Sequence, residues 1–143
     1  MHLSYLMTFH LKILKLDFLI NSRHKVGERY NDRFAPYSDK IKFCSAKEPE
    51  SKMVYFHYPI LIENRDDIAN KLRRNSGIDT RICWPKPIYD QKMYSSGKLE
   101  SRRHSCPVAE EVSKKILNLP IYPSMLTDQV DEVADALIEE LDR

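Results

Sequence analysis

Between residues 11 and 30 the apolar side chains Leu11, Leu14, Phe18 and Leu19 recur at helical spacing, followed by Val26 and Tyr30 among charged neighbours. This pattern predicts one long amphipathic helix. The polar stretch Asn31 to Asp39, containing Pro36, reads as its exit, and Ile41, Lys42 and Phe43 read as a short strand before a loop at 45–51. The run from Met53 to Ile62 is the strongest strand signal, rich in aromatic and β-branched residues. Val54, Phe56, Tyr58, Ile60 and Ile62 would share one face, and Tyr55, His57 and Leu61 the other. Pro59 has no N–H for a ladder, which predicts an edge strand or a bulge.

Asn64 offers a side-chain cap to a helix with Asp66 and Asp67 in its first turn, Ile68 and Leu72 on its apolar stripe, Arg73 and Arg74 near its end, and a left-handed stop at Gly77. Ile78 to Cys83 reads as a returning strand. Pro85 and Pro87 then stiffen an extended loop that presents Trp84, Lys86 and Tyr89 in fixed order. The segment from Ser95 to Ser105 reads as an exposed excursion. Pro107 starts a helix to about Lys115, with Val108, Val112 and Ile116 on one face. Leu117, Leu119 and Ile121 form a short extended segment. Thr127 caps a last helix striped by Val130, Val133, Ala134, Leu137, Ile138 and Leu141. The expected fold class is α+β, a small sheet with helices packed on one face.

Composition narrows the function classes. With 143 residues and 42% hydrophobic content, one compact domain suffices. The 23 basic and 21 acidic residues leave a net charge of +2, which gives nucleic acid little support as a partner. Cys44, Cys83 and Cys106 form no CxxC pair, so reduced thiols and a cytoplasmic location are expected. Lys12, Lys15 and Asp17 interrupt the apolar start too early for a membrane span, and the stretch lacks the marks of an export signal. Three glycines are too few for a glycine-rich phosphate cradle. A zinc site from His104, Cys106 and Cys83 lacks a recognisable four-ligand pattern. The cluster Lys98, Arg102, Arg103 and His104 reads as a solvated loop.

Several motifs in order resemble one family. Leu16, Asp17, Ile20, Arg23 and Tyr30 resemble a connecting helix. Tyr58, Pro59 and Ile60 with Arg65 and Asp66 resemble a central strand and helix start. Gly77 to Thr80 lead into Trp84-Pro85-Lys86-Pro87-Ile88-Tyr89-Asp90-Gln91, with Tyr89 where histidine is common. Cys106 to Glu110, Leu119 to Pro123, and Thr127 with Gln129 complete the order. This order resembles the C-terminal part of the DegT/DnrJ/StrS family of pyridoxal-phosphate-dependent sugar aminotransferases.

The resemblance implies the C-terminal domain of an aspartate-aminotransferase-like, fold type I enzyme over residues 13–143, preceded by an atypical start at 1–12, with the large cofactor-binding domain absent. If Met7 and Thr8 are the pair that opens the family's connecting helix, Ser4 and Leu6 stand where asparagine and arginine are usual, and the positive charge is gone. The implied activity is amino transfer to a keto-sugar attached to a nucleotide, in a homodimer or with a complementing large domain. Pyridoxal phosphate serves the intact enzyme, and none is expected on this chain alone. The expected substrate-binding residues are Arg81, Trp84, Lys86 and Tyr89; no catalytic, cofactor-binding or metal residue is assigned. In the alternative use of the same residues, Trp84 and Tyr89 cover the sheet edge and Arg81 and Lys86 are solvated. A non-catalytic binding or relic module is the alternative function. An exposed apolar helix face would favour self-association.

Overall fold

The computed structural model describes residues 13, 15–43, 53–96 and 105–143. Expectations for residues 1–12, Leu14, the loop at 45–51, Cys44 and the cluster 98–104 lie outside the described residues. The elements are α1 (Leu16–Phe34), β1 (Lys42–Phe43), β2 (Tyr58–Leu61), α2 (Arg65–Ser76), the short α3 (Lys92–Ser95), α4 (Pro107–Lys115), β3 (Ile116–Leu119) and α5 (Thr127–Asp142). The three strands form one antiparallel sheet in the order β1-β2-β3. Tyr58 and Ile60, with Ile62 just beyond the strand, bury their side chains among Val26, Tyr30 and Phe34 of α1, Ile68 and Leu72 of α2, and Val130, Val133, Ala134 and Leu137 of α5. This is the expected α+β sandwich.

Helices α1 and α5 run parallel. Arg29 pairs with Asp131, Arg33 with Asp135, and Lys40, just after α1, with Asp142, so partner numbers rise together along both chains. Every contribution from the α1 side is basic and every one from α5 acidic. Aligned helix dipoles repel weakly, and this seam of opposite charge offsets that repulsion. Its best-formed member is bidentate: Arg29 Nε and Nη2 donate to the two oxygens of Asp131 at 2.8 Å each.

Several expectations are corrected, each for a physical reason. Helix α1 does not exit at Asn31 but continues to Phe34, which is fully buried. The polar residues there are used inward: Asn31 Oδ1 accepts from the Tyr58 hydroxyl at 2.8 Å, and Arg33 holds Asp135. On the expected stripe, Phe18 is exposed and Leu19 half-buried; burial begins at Val26. The strand expected over 53–62 is confined to Tyr58–Leu61 because the chain bends at Phe56 and His57. Arg23 Nη1 donates to the carbonyls of Tyr55 and Phe56, at 3.1 and 2.9 Å, in place of a neighbouring strand. The bend reverses the faces, so that Tyr55 is buried while Val54 and Phe56 face water.

Pro59 lies in the central strand, not at an edge. It sits opposite Asn118, whose own backbone N–H and C=O are both bonded to Arg81 on the far side of β3. The pair is therefore a non-hydrogen-bonded one, and proline removes no bond from that ladder. On its other side β1, as described, reaches only to Ile60. The strand expected over 78–83 reduces to a single bridge, Arg81 to Asn118, because proline follows within a few residues.

Two caps also differ. Asn64 makes no side-chain cap bond; it adopts a left-handed conformation and its carbonyl accepts the N–H groups of Asp67 and Ile68. Thr127 is the first residue of α5 rather than its cap. Gln129 Oε1 accepts the Leu126 N–H at 3.0 Å and closes that end. In α4, Val108 is exposed, and Ser113 is the buried residue. The buried guanidinium of Arg65 fixes this orientation by donating from Nη1 to the Ser113 carbonyl at 2.6 Å. Gly77 makes the expected left-handed stop at φ 67°.

Gly27 permits a close approach of α1 to Tyr55. A Cβ there would lie 2.3 to 2.8 Å from ring atoms of the buried Tyr55. Gly27→Ala gains ~1 kcal/mol of helix propensity but forces the ring to move, an overpacking cost of about 1–3 kcal/mol. Urea denaturation should show a net loss of stability. Asp131 is held below the ordinary aspartate range first by its hydrogen bond from Arg29, with the nearby Arg29 and Arg33 charges acting in the same sense. Its stabilising contribution is present above an unfolded value of ~3.9 and is lost as pH falls through the depressed folded value. Asp131→Asn should flatten the acid limb of a stability-versus-pH curve.

Candidate functional site

The proline loop leaves the sheet at Arg81 and is pinned to α4. Pro85 and Pro87 hold it extended, and a 3-10 turn at Ile88–Asp90 aims Tyr89 at the first turn of α4. The Tyr89 hydroxyl donates to Glu110 Oε1 at 2.6 Å, and the same oxygen accepts the Cys106 N–H at 3.4 Å. Glu110 thus joins the loop to the start of a helix that begins, as expected, with proline. Its carboxyl is held below the ordinary glutamate range, chiefly by the Tyr89 bond. The Tyr89 phenol is pushed up to about 12, chiefly by the same bond. Tyr89 is a protonated donor at neutral pH and is already committed to Glu110.

Between loop and helix lies a recess of about 500 Å³, walled by Trp84, Lys86, Pro87 and Tyr89 on one side and Ala109, Val112 and Ile116 on the other. Its walls are mostly apolar. Trp84 and Ile88 are each 67% exposed, more than core packing would leave open. One aromatic face, one ammonium and an apolar floor suit stacking against a planar or sugar ring. They include no acid–base pair.

The structure therefore brings three of the four expected substrate-binding residues, Trp84, Lys86 and Tyr89, to one recess. Arg81 lies apart. It lines a separate cleft of about 310 Å³ with Arg23, His57 and Asp79, and its backbone is occupied by Asn118. The role of Glu110, named in the sequence only as part of the Cys106 to Glu110 motif, escaped sequence reasoning because its partner Tyr89 lies 21 residues away. Arg65 escaped it because a buried arginine leaves no periodic signal. Another cleft of about 620 Å³, unforeseen in the sequence, is rimmed by paired charges, including Lys71 with Asp67 and Lys115 with Glu63 and Glu111.

The antiparallel three-stranded sheet with its helices matches part of the fold of solved fold-type I aminotransferases. The chain belongs to the DegT/DnrJ/EryC1/StrS aminotransferase family, whose profile matches residues 8–138. A dTDP-3-amino-3,4,6-trideoxy-alpha-D-glucose transaminase of Micromonospora megalomicea subsp. nigra is 30% identical over 129 residues, covering 90% of this chain and 34% of the relative. DesV of S. venezuelae, solved in complex with a ketimine intermediate, is 26% identical with a TM-score of 0.81, over 95% of this chain and 35% of that one. The ntda protein of Bacillus subtilis, solved with bound cofactor PMP, is 23% identical with a TM-score of 0.74, over 87% of this chain and 29% of that one. The chain spans about a third of the length of these relatives. No helix among the described residues is long and apolar enough to cross a membrane.

The family enzymes depend on pyridoxal phosphate. A lysine that forms a Schiff base needs its ammonium destabilised by burial or by a neighbouring cation. Lys40, Lys71 and Lys115 show the opposite: each is pushed up, first by a hydrogen bond to a carboxylate. Lys86 stands exposed and also lines a cleft with the carboxylates Asp66, Asp90 and Glu110. These residues do not fit the cofactor.

Replacing Glu110 by Gln removes the carboxylate that holds the Tyr89 proton. The late tyrosinate absorbance step should then move down from about 12 towards the ordinary value of ~10. Tyr89→Phe should abolish that step, which assigns it.

Proposed function

We propose that this chain is the small-lobe portion, residues 13–143, of a pyridoxal-phosphate-dependent aminotransferase acting on nucleotide-linked keto-sugars, and that it is inactive by itself. The carrying observation is the recess of Trp84, Lys86 and Tyr89, held rigid against α4 by Glu110 and open on its outer side. In this reading the recess is one wall of the substrate site. Trp84 stacks on the base or sugar and Lys86 meets a phosphate oxygen. Tyr89 acts by fixing the loop, since its hydroxyl is engaged. Arg81, from its separate cleft, makes a peripheral contact at most.

The rest of the active centre, including the reactive lysine, belongs to a large domain. The same reading accounts for the exposed apolar residues Leu16 and Phe18 on α1 and Val54 and Phe56 at the bend, which a large domain or the second subunit of a homodimer would cover. A cytoplasmic location follows from the reading, as does the lack of any role for nucleic acid or membrane. The exposed wall favours this over a relic without a ligand, because a purely structural loop has no need to leave its tryptophan open.

Two measurements test it. Mixing the chain with pyridoxal phosphate and reducing with borohydride should label lysines only at scattered, low occupancy; a stoichiometric adduct on one lysine would overturn the reading. Trp84 is the only tryptophan, so its emission reports on the recess directly. A dTDP-linked sugar should quench it saturably, and Lys86→Ala should weaken that binding by several-fold. Absence of quenching at millimolar ligand would favour the relic.

A further inference from the structure

His57 and Cys83 meet at the edge of the cleft that the substrate reading leaves aside. Cys83 Sγ lies 3.7 Å from His57 Nε2, a sulfur-to-nitrogen hydrogen-bond distance between residues 26 apart in sequence. Both are half-buried. The imidazole is steadied by Phe56, whose ring meets it edge-on at 4.6 Å, and the Arg23 guanidinium lies over that phenyl ring at 5.7 Å. Arg23 is itself fixed by two backbone carbonyls. His57, Arg23 and Arg81 line one cleft whose acidic member is Asp79, and Asp79 is bound to Arg73. The thiol therefore has an imidazole nitrogen in contact, an acceptor in the tautomer that leaves Nε2 unprotonated, and two guanidinium groups in the adjoining cleft, the setting in which cysteines become nucleophiles.

Cys106 provides the internal contrast. It is the more exposed of the two described thiols. Its backbone N–H donates to the Glu110 carboxylate, and among the described residues its thiol has no imidazole in contact. Access alone would make Cys106 react first. Activation would make Cys83 react first.

We infer that Cys83 and His57 form a thiol–imidazole pair that makes Cys83 react with soft electrophiles in preference to the more exposed Cys106. With Nε2 unprotonated, the Sγ–H proton passes to it as sulfur attacks the electrophilic carbon. A carbon–sulfur bond forms, and the leaving group departs with the bonding pair. The imidazolium then returns the proton to water. Because Cys83 immediately precedes Trp84, an adduct stands at the root of the proline loop and links this chemistry to the recess without sharing its residues. The inference does not depend on the aminotransferase reading.

The test is substoichiometric labelling of the folded full chain with iodoacetamide at about neutral pH, quenched at intervals and mapped by peptide mass spectrometry. Cys83 should be carboxamidomethylated faster than Cys106 in the unmutated chain, a comparison that needs no variant. In His57→Gln, Cys83 should slow by roughly tenfold while Cys106 keeps its rate, which also reports that the fold persists. A Cys106 rate equal to or above that of Cys83 in the unmutated chain would overturn the inference. So would an unchanged Cys83 rate in a His57→Gln chain whose Cys106 rate matches the parent.

Discussion

The fold depends on burying three tyrosines without leaving a hydroxyl unpaired. Tyr30, Tyr55 and Tyr58 are each at most 2% exposed and pack with Phe34 into one aromatic cluster, with the Tyr30 and Tyr58 rings 4.7 Å apart and those of Tyr55 and Tyr58 5.6 Å apart. Rings of this size supply much of the apolar burial available to a small sheet, but a buried phenol left without a partner forfeits about 1–3 kcal/mol of that gain. The partners come from different elements. Tyr30 donates to the Pro120 carbonyl at 3.0 Å, which ties α1 to the segment between β3 and α5. Tyr58 donates to Asn31, whose amide in turn donates to the Tyr55 hydroxyl at 3.3 Å. Desolvation by this burial raises the Tyr30 phenol above its ordinary range, so it remains a neutral donor. Helix, central strand and the approach to the last helix are thus joined at one polar–aromatic node.

That node explains which parts of the fold were legible in the sequence. Elements whose residues act through periodicity alone could be read: α5 from its stripe, α2 from Ile68, Leu72 and Gly77, and α4 from Pro107. Errors fell where a side chain does what backbone usually does. Arg23 captures two carbonyls and stops β2 at Tyr58, so an unbroken alternation from 53 to 62 misleads. Asn31 and Arg33 look like a helix exit because they are polar, yet their partners lie across the interface. Pro59 looks like an edge residue because the ladder parity that excuses it is set by Asn118 and Arg81, far away in sequence.

The candidate site was legible to a similar degree and for similar reasons. Adjacent residues in a proline-stiffened loop must stay together, so Trp84, Lys86 and Tyr89 emerged as a group. Arg81 stands only three residues before Trp84, but the bridge to Asn118 holds its backbone in the sheet and directs it to another cleft. What the loop packs against could not be read at all. Glu110 and His57 acquire their roles through contacts 21 and 26 residues distant in sequence.

Charge and burial divide the molecule's surface into two kinds. Along α1 and α5, and around the cleft beside α2, cations and carboxylates neutralise one another, and the lysines there are held as ammonium ions. Such surface closes on itself electrostatically and offers little to a ligand. On the N-terminal half of α1, at the Val54–Phe56 bend and around Trp84, apolar side chains face outward without a carboxylate-capped cation to mask them. A surface of this second kind gains free energy only when covered. Since Arg23 fastens the bend to α1, two of these apolar areas are held rigidly together. A covering partner therefore meets a preformed surface and loses little entropy in ordering it, which is what the small lobe proposed above requires of a surface that a large domain would cover.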